Sequence, residues 1–171
     1  TFDFYSVTTE DDNDSLTEQH SVELRVSPSP EATINLGASI DEDVSTRLDF
    51  SIQHRNGDND EVLEEVWISA ADLAALGDLN LTYGQNGPSL ADAAADAGNT
   101  SVVLDNGWYK LTGVAIDNVY AQGRENWHGD ASFGVHYVIR DPALDSSVSD
   151  VSEGFDGTYE VTVNPDRKSV V

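Results

Sequence analysis

The chain has no cysteine and no methionine, and only eight basic side chains stand against 32 acidic ones, a formal net charge of −24 over 171 residues. Without cysteine there is no disulfide scaffold and no thiolate-ligated zinc or iron–sulfur centre. With so little positive charge, nucleic acid is excluded as the natural partner, because its phosphates would be repelled, and an anionic membrane surface is disfavoured for the same reason. No apolar run approaches the roughly 18 residues of a membrane span, so direct membrane insertion is not expected. The opening TFDFYSVTTE is not a signal peptide, which points to export by another route or to a piece of something longer.

What is present is enough to fold. Hydrophobic residues make up 39% of the chain, and the length suits one domain, or one domain plus a fragment. The carboxylates come in short clusters separated by Asn and Gly: Glu10-Asp11-Asp12-Asn13-Asp14, Asp41-Glu42-Asp43 and Asn56-Gly57-Asp58-Asn59-Asp60-Glu61. Self-repulsion on this scale calls for salt screening or for divalent cations. A hard cation such as Ca²⁺ takes roughly six to eight oxygen ligands, and closely spaced Asp and Asn on a turn supply several at once, whereas Mg²⁺ prefers to keep its waters. Asp, Asn and Gly also favour turns without any metal. None of the clusters is an EF-hand, since the loop from Asp58 lacks the required glycine and the helical flanks.

Most of the chain alternates with period two between turn signals, which predicts an antiparallel β-sandwich. Val22, Leu24 and Val26 alternate with polar residues, as do Leu48, Phe50 and Ile52. So do Phe133, Val135, Tyr137 and Ile139, and Tyr159, Val161 and Val163. Residues 62–68 are rich in β-formers around Trp67, which is expected in the core. Residues 102–104 and 108–111 form two arms around an Asp105-Asn106-Gly107 turn. Two segments read differently. Residues 69–79 predict a short helix or turn with Ser69 as N-cap, and residues 89–97 a helix after Pro88 that stops at Gly98. The stretch 84–99 is therefore expected to be an inserted loop, and loops on a rigid sandwich are where binding sits.

An internal repeat organises the chain. Residues 1–10, TFDFYSVTTE, align with residues 132–141, SFGVHYVIRD, and residues 21–28, SVELRVSP, align with residues 158–165, TYEVTVNP. Phe2 falls on Phe133, Val22 on Tyr159, and Glu10 on Asp141. Residues 1–30 therefore read as the closing hairpin of a preceding or split repeat, residues 31–167 as a whole repeat, and residues 168–171 as a linker or tail.

The order of segments from Asp41 onward carries a resemblance. An Asp-Glu-Asp entry leads to RLDFSI, the Asn-Gly-Asp-Asn-Asp-Glu loop and EEVWIS; then come NGWYKLTG, ENWHGD, the strand from Phe133 and finally TYEVTVNP. This resembles the cadherin-like or immunoglobulin-like repeats of large RTX adhesins, which Gram-negative bacteria export by the type I pathway. The resemblance implies an Ig-like or cadherin-like sandwich at the bacterial cell surface; the one or two short helices in an inserted loop, read from residues 69–79 and 89–97, depart from the family's pattern around Gly84–Asn99. It implies a calcium-stiffened extender that supports adhesion and biofilm formation, with neighbouring repeats of the same chain as its partners. A glycan- or peptide-binding module of the same adhesin is the alternative, with its site on the 84–99 insertion or near Trp108 and Trp127.

The calcium ligands expected on this reading are Asp11, Asp12, Asp14, Asp41, Glu42, Asp43, Asp58, Asp60, Glu61 and Asp141. Asp41, Glu42 and Asp43 would form an end-loop site at the junction with the preceding hairpin. No enzyme is expected. There is no H-E-x-x-H, no G-x-S-x-G, and no second histidine at ligand spacing from His128.

Overall fold

The computed structural model describes residues 2–9, 15–22, 28–55, 59–143 and 148–165. Strands β1 (Phe2–Thr9) and β2 (Ser15–Val22) come first, followed by β3 (Thr33–Ile34), β4 (Gly37–Asp41), β5 (Thr46–Arg47), β6 (Ile52–Gln53) and β7 (Val62–Ser69). Helix α1 (Ala70–Ala75), β8 (Leu79–Tyr83) and helix α2 (Leu90–Ala95) fill the middle of the chain. Then come β9 (Val102–Asp105), β10 (Trp108–Thr112), a 3₁₀ turn (Gly113–Asn118), β11 (Val119–Gly123), β12 (Gly129–Asp141) and β13 (Val151–Asn164).

These strands build an all-β sandwich. One sheet has six strands in the order β4-β13-β12-β7-β10-β9, antiparallel except for the parallel pair β13 and β4. A three-stranded sheet β5-β11-β8 and a short pair β3-β6 supply further strands. Alternation decides what goes inside. On β12 the side chains of Phe133, Val135, Tyr137 and Ile139 are buried, and on β8 and β11 those of Leu79, Leu81, Val119 and Ala121 join the same core. Tyr159 is its centre: it stacks on Phe133 at 5.4 Å and tilts against Phe50 at 5.0 Å. Aromatic pairs of this kind contribute about 0.5–1.5 kcal/mol beyond the area they bury.

The two helices have six residues each, too few to stand without tertiary support. Each carries a serine cap, the expected Ser69 Oγ accepting the Asp72 N–H at 3.2 Å and Ser89 Oγ accepting the Asp92 N–H at 3.1 Å. Leu90 and Ala93 anchor α2 in the core. Asn106 and Gly107 both have positive φ, 48° and 86°, which lets a two-residue turn match the strand twist between β9 and β10.

Three expectations are corrected. Leu48, Phe50 and Ile52 do not lie on one strand. The chain leaves β5, which pairs with β11, buries Leu48 and Phe50 in passing, and enters β6, which pairs with β3. Trp67 is not a core residue: Val66 and Ile68 take the inward positions, and the alternation turns Trp67 to the outer face. There its indole N–H donates to Glu65 Oε2 at 2.8 Å and the Lys110 ammonium sits over its ring. Finally, the second strand of the first hairpin starts at Ser15, earlier than the Val22-Leu24-Val26 pattern suggests; residues 23–27 lie outside the described residues.

The first hairpin repeats the last one in register. Phe2 stands opposite Val22 and Asp3 opposite Ser21, just as Phe133 stands opposite Tyr159 and Gly134 opposite Thr158. These are the pairs that the internal sequence alignment superimposes. β1 and β2 form a two-stranded sheet of their own.

Candidate metal centre

β7 begins at Val62 and β12 ends at Asp141, with Arg140 opposite Val62. One residue beyond that pair, Glu61 and Asp141 come to the same end of the large sheet. Both are carboxylates, and they are only 4% and 5% exposed. A buried charge is costly unless donors meet it, and here backbone amides do. Glu61 Oε1 accepts the N–H groups of Glu31 at 2.7 Å and Ala32 at 2.8 Å, and Asp141 Oδ2 accepts the N–H of Ser29 at 2.7 Å. His54 Nδ1 lies 3.3 Å from Glu61 Oε2. Asp60 reaches the same end, with Oδ1 shut off from solvent. The segment that brings the chain from the first hairpin into the sandwich is thus fastened by two buried carboxylates.

Arg140 secures the rim of this pole. A register shift between Val138 and Ile139 re-aims the strand, and Arg140 then bonds Glu64 Oε1 at 2.9 Å and Asp150 Oδ2 at 2.8 Å. The Ala143 N–H, and after it the Arg140 guanidinium, hold the Asp150 carboxyl below its ordinary pKa.

Asp41, Glu42 and Asp43 occupy the opposite pole. Asp41 pairs with Asn164 at the end of β13, and the Glu42 N–H donates to the Asn164 carbonyl at 3.0 Å. Asp43 turns the chain with a φ of 64°, and Gln122 Nε2 donates to its carbonyl at 3.2 Å. This corrects the expected position. The cluster does not adjoin the segment arriving from the first hairpin; it sits where β13 ends. Parallel pairing of β4 with β13 is the reason, since it carries the end of β4 toward the end of β13. The two poles are separated by the length of β12, twelve steps or about 40 Å at the usual rise per residue.

The ten expected ligands therefore divide. Asp60, Glu61 and Asp141 share one pole, and Asp41, Glu42 and Asp43 share the other. Asp11, Asp12, Asp14 and Asp58 lie outside the described residues. The donor set is all oxygen, which suits a hard cation, but among the described residues no three acidic, His or Cys side chains converge into a cage. The amides of Ser29, Glu31 and Ala32 went unanticipated. Their signal lay in the SPSPE sequence, where the prolines leave the intervening residues as the only N–H donors.

The 84–99 insertion shapes a second feature. Tyr83, Pro88, Asp92, Ala93, Asp96 and Asn99 line an open cavity of about 390 Å³. Several of its polar atoms are already engaged in the loop: Asp96 Oδ1 accepts the Gly98 N–H at 2.9 Å, and Asn99 Oδ1 accepts the Ser101 N–H at 3.0 Å.

No protein family, no curated protein and no solved structure matches this chain. Among the described residues no helix is long and apolar enough to cross a membrane.

Proposed function

We propose that the chain is a calcium-dependent, non-enzymatic extender repeat of a bacterial surface adhesin, working outside the cell among neighbouring repeats of the same chain. One observation carries the reading. The chain enters the sandwich at the pole of Glu61 and Asp141 and reaches the end of β13 at the pole of Asp41, Glu42 and Asp43. A unit with acidic groups where the chain enters and again at its far end is suited to head-to-tail stacking, with Ca²⁺ drawing each junction together. Glu61 and Asp141, with Asp60 beside them, would supply oxygens at the entry pole; Asp41, Glu42 and Asp43 would do so at the far pole. Binding that exists only in the folded state adds to folding stability, about 2.7 kcal/mol for each site at a hundredfold excess over its dissociation constant.

The test is thermal unfolding in millimolar calcium and in chelator. A clear rise in Tm with calcium is expected, and identical curves would sink the reading.

The second reading, a module that binds a glycan or peptide, draws on the cavity beside Tyr83. A glycan and peptide array at fixed calcium separates the two, since a pure extender binds nothing on it.

A further inference from the structure

The first hairpin is built like the last, yet it lacks what surrounds the last. Tyr159 is fully buried, whereas Val22, its counterpart, is 52% exposed. Tyr137 is 5% exposed, whereas Ser6, which the same alignment places on it, is exposed. Tyr5 and Val7 are 63% and 62% exposed. In the last hairpin, β12 has β13 on one side and β7 on the other, with Val135 opposite Ile68, His136 opposite Trp67 and Val138 opposite Glu65. β1 has β2 on one side and, among the described residues, no strand on its other edge. A lone two-stranded hairpin is marginally stable in water, and an open edge invites a further strand.

We propose that β1–β2 closes a second sandwich body of the same kind as residues 31–131. A strand equivalent to β7 would run antiparallel along the free edge of β1, opposite residues 4–7. Register fixes the contacts. The residue in the place of Trp67 faces Tyr5, just as Trp67 meets His136 edge-on at 6.4 Å in the chain's own sandwich. Val22 takes the core position that Tyr159 holds in the first body. The main-chain bonds provide affinity and the alternating side chains provide register, as in other strand additions. The inference rests on the repeat reading of the chain but not on calcium.

The experiment places an additional copy of residues 31–131 directly before Thr1 of the full chain, so that residues 1–22 fall where residues 132–159 would follow. Hydrogen exchange then reads the β1 amides. Protection of residues 4–7 is expected to rise by about a hundredfold or more over the parent chain. Val22→Asp should abolish that gain while the chain's own sandwich melts unchanged. Parent-like exchange in the hairpin would overturn the inference, and so would dimerisation of the parent chain through β1. A control fusion gives the added copy residues 132–165 as its hairpin; if it folds and the test fusion does not, the inference fails. Failure of both counts against it equally, because a body that its own hairpin cannot complete is not the occupant. The measurements are made in calcium and in chelator. Unprotected β1 amides beside a calcium-dependent Tm reject this inference alone, and protected amides beside a calcium-independent Tm reject the calcium reading alone.

Discussion

Glu61 and Asp141 end neighbouring strands at one pole of the sandwich, 80 residues apart in sequence, and each accepts backbone amides from the same four-residue segment at 29–32. Replacing Glu61 by Ala would leave two amides without their acceptor, that of Ala32 buried and that of Glu31 partly so. A loss of about 2–4 kcal/mol is expected by urea unfolding, from the cost of unsatisfied buried donors. Glu61→Gln keeps an oxygen for both amides and should lose less. In calcium titrations both variants, and Asp141→Asn, should show a smaller Tm rise than the parent. Asp130→Asn, at an exposed position bonded to Thr162, should not.

Tyr159 predicts an alkaline limit. Burial, only partly offset by the hydrogen bond its oxygen accepts from the Asp49 N–H, pushes the phenol up to about 12. A raised folded-state value means the stabilisation is complete below the ordinary tyrosine value near 10 and is lost as pH rises through about 12. Two units correspond to a few kcal/mol, about 3 at most. Tyr159→Phe should lower stability at neutral pH, because it removes the bonds to the Asp49 carbonyl at 3.1 Å and from the Asp49 N–H at 3.2 Å. It should also flatten the decline between pH 10 and 12, followed by urea unfolding at each pH.

On the acid side the sign reverses. Burial alone would raise the Glu65 carboxyl, but hydrogen bonds from Lys110 and Trp67 outweigh it and hold it below its ordinary value. Asp150 is lowered by the Ala143 amide and by Arg140. Their stabilisation is present above the unfolded carboxylate values and is lost as pH falls through the lower folded ones. Lys110→Gln should therefore shrink the loss of stability that urea unfolding measures between pH 5 and pH 2.

Gly87 predicts the behaviour of the insertion. A Cβ there would collide with the Tyr83 carbonyl oxygen, where the chain folds back within the 83–87 turn. Gly87→Ala should cost about 1–3 kcal/mol, the usual range for forced overpacking. It should also distort the cavity beside Tyr83. If that cavity binds a glycan or peptide, the variant loses array binding while keeping its calcium-dependent Tm.

Much of this was legible in the sequence because it is local. Period-two alternation marks β12 and β13, and β-forming residues mark β7; Ser69 announces one helix and Pro88 with Gly98 brackets the other; Asn106-Gly107 specifies its turn. The matched hairpin registers follow from the matched residues around Phe2 and Phe133. β8 and β11 were harder to see. Each has five residues, one follows a helix and the other a 3₁₀ turn, and their apolar pattern is too short to stand out. Trp67 was misplaced because β-forming residues surround it on both sides, and only the burial of Val66 and Ile68 shows which face is inside.

The sequence by itself determined that the chain is all-β, where its carboxylates cluster and which two hairpins correspond. Only the tertiary structure decided which clusters meet. The order β4-β13-β12-β7 puts Asp41 at the end of β13, beside Asn164, and brings Glu61 to Asp141, with the amides of residues 29–32 laid across that pole. Strand alternation acts over two residues and can be read along the chain. Strand order joins segments more than a hundred residues apart, and it comes from burying both faces of a sandwich at once.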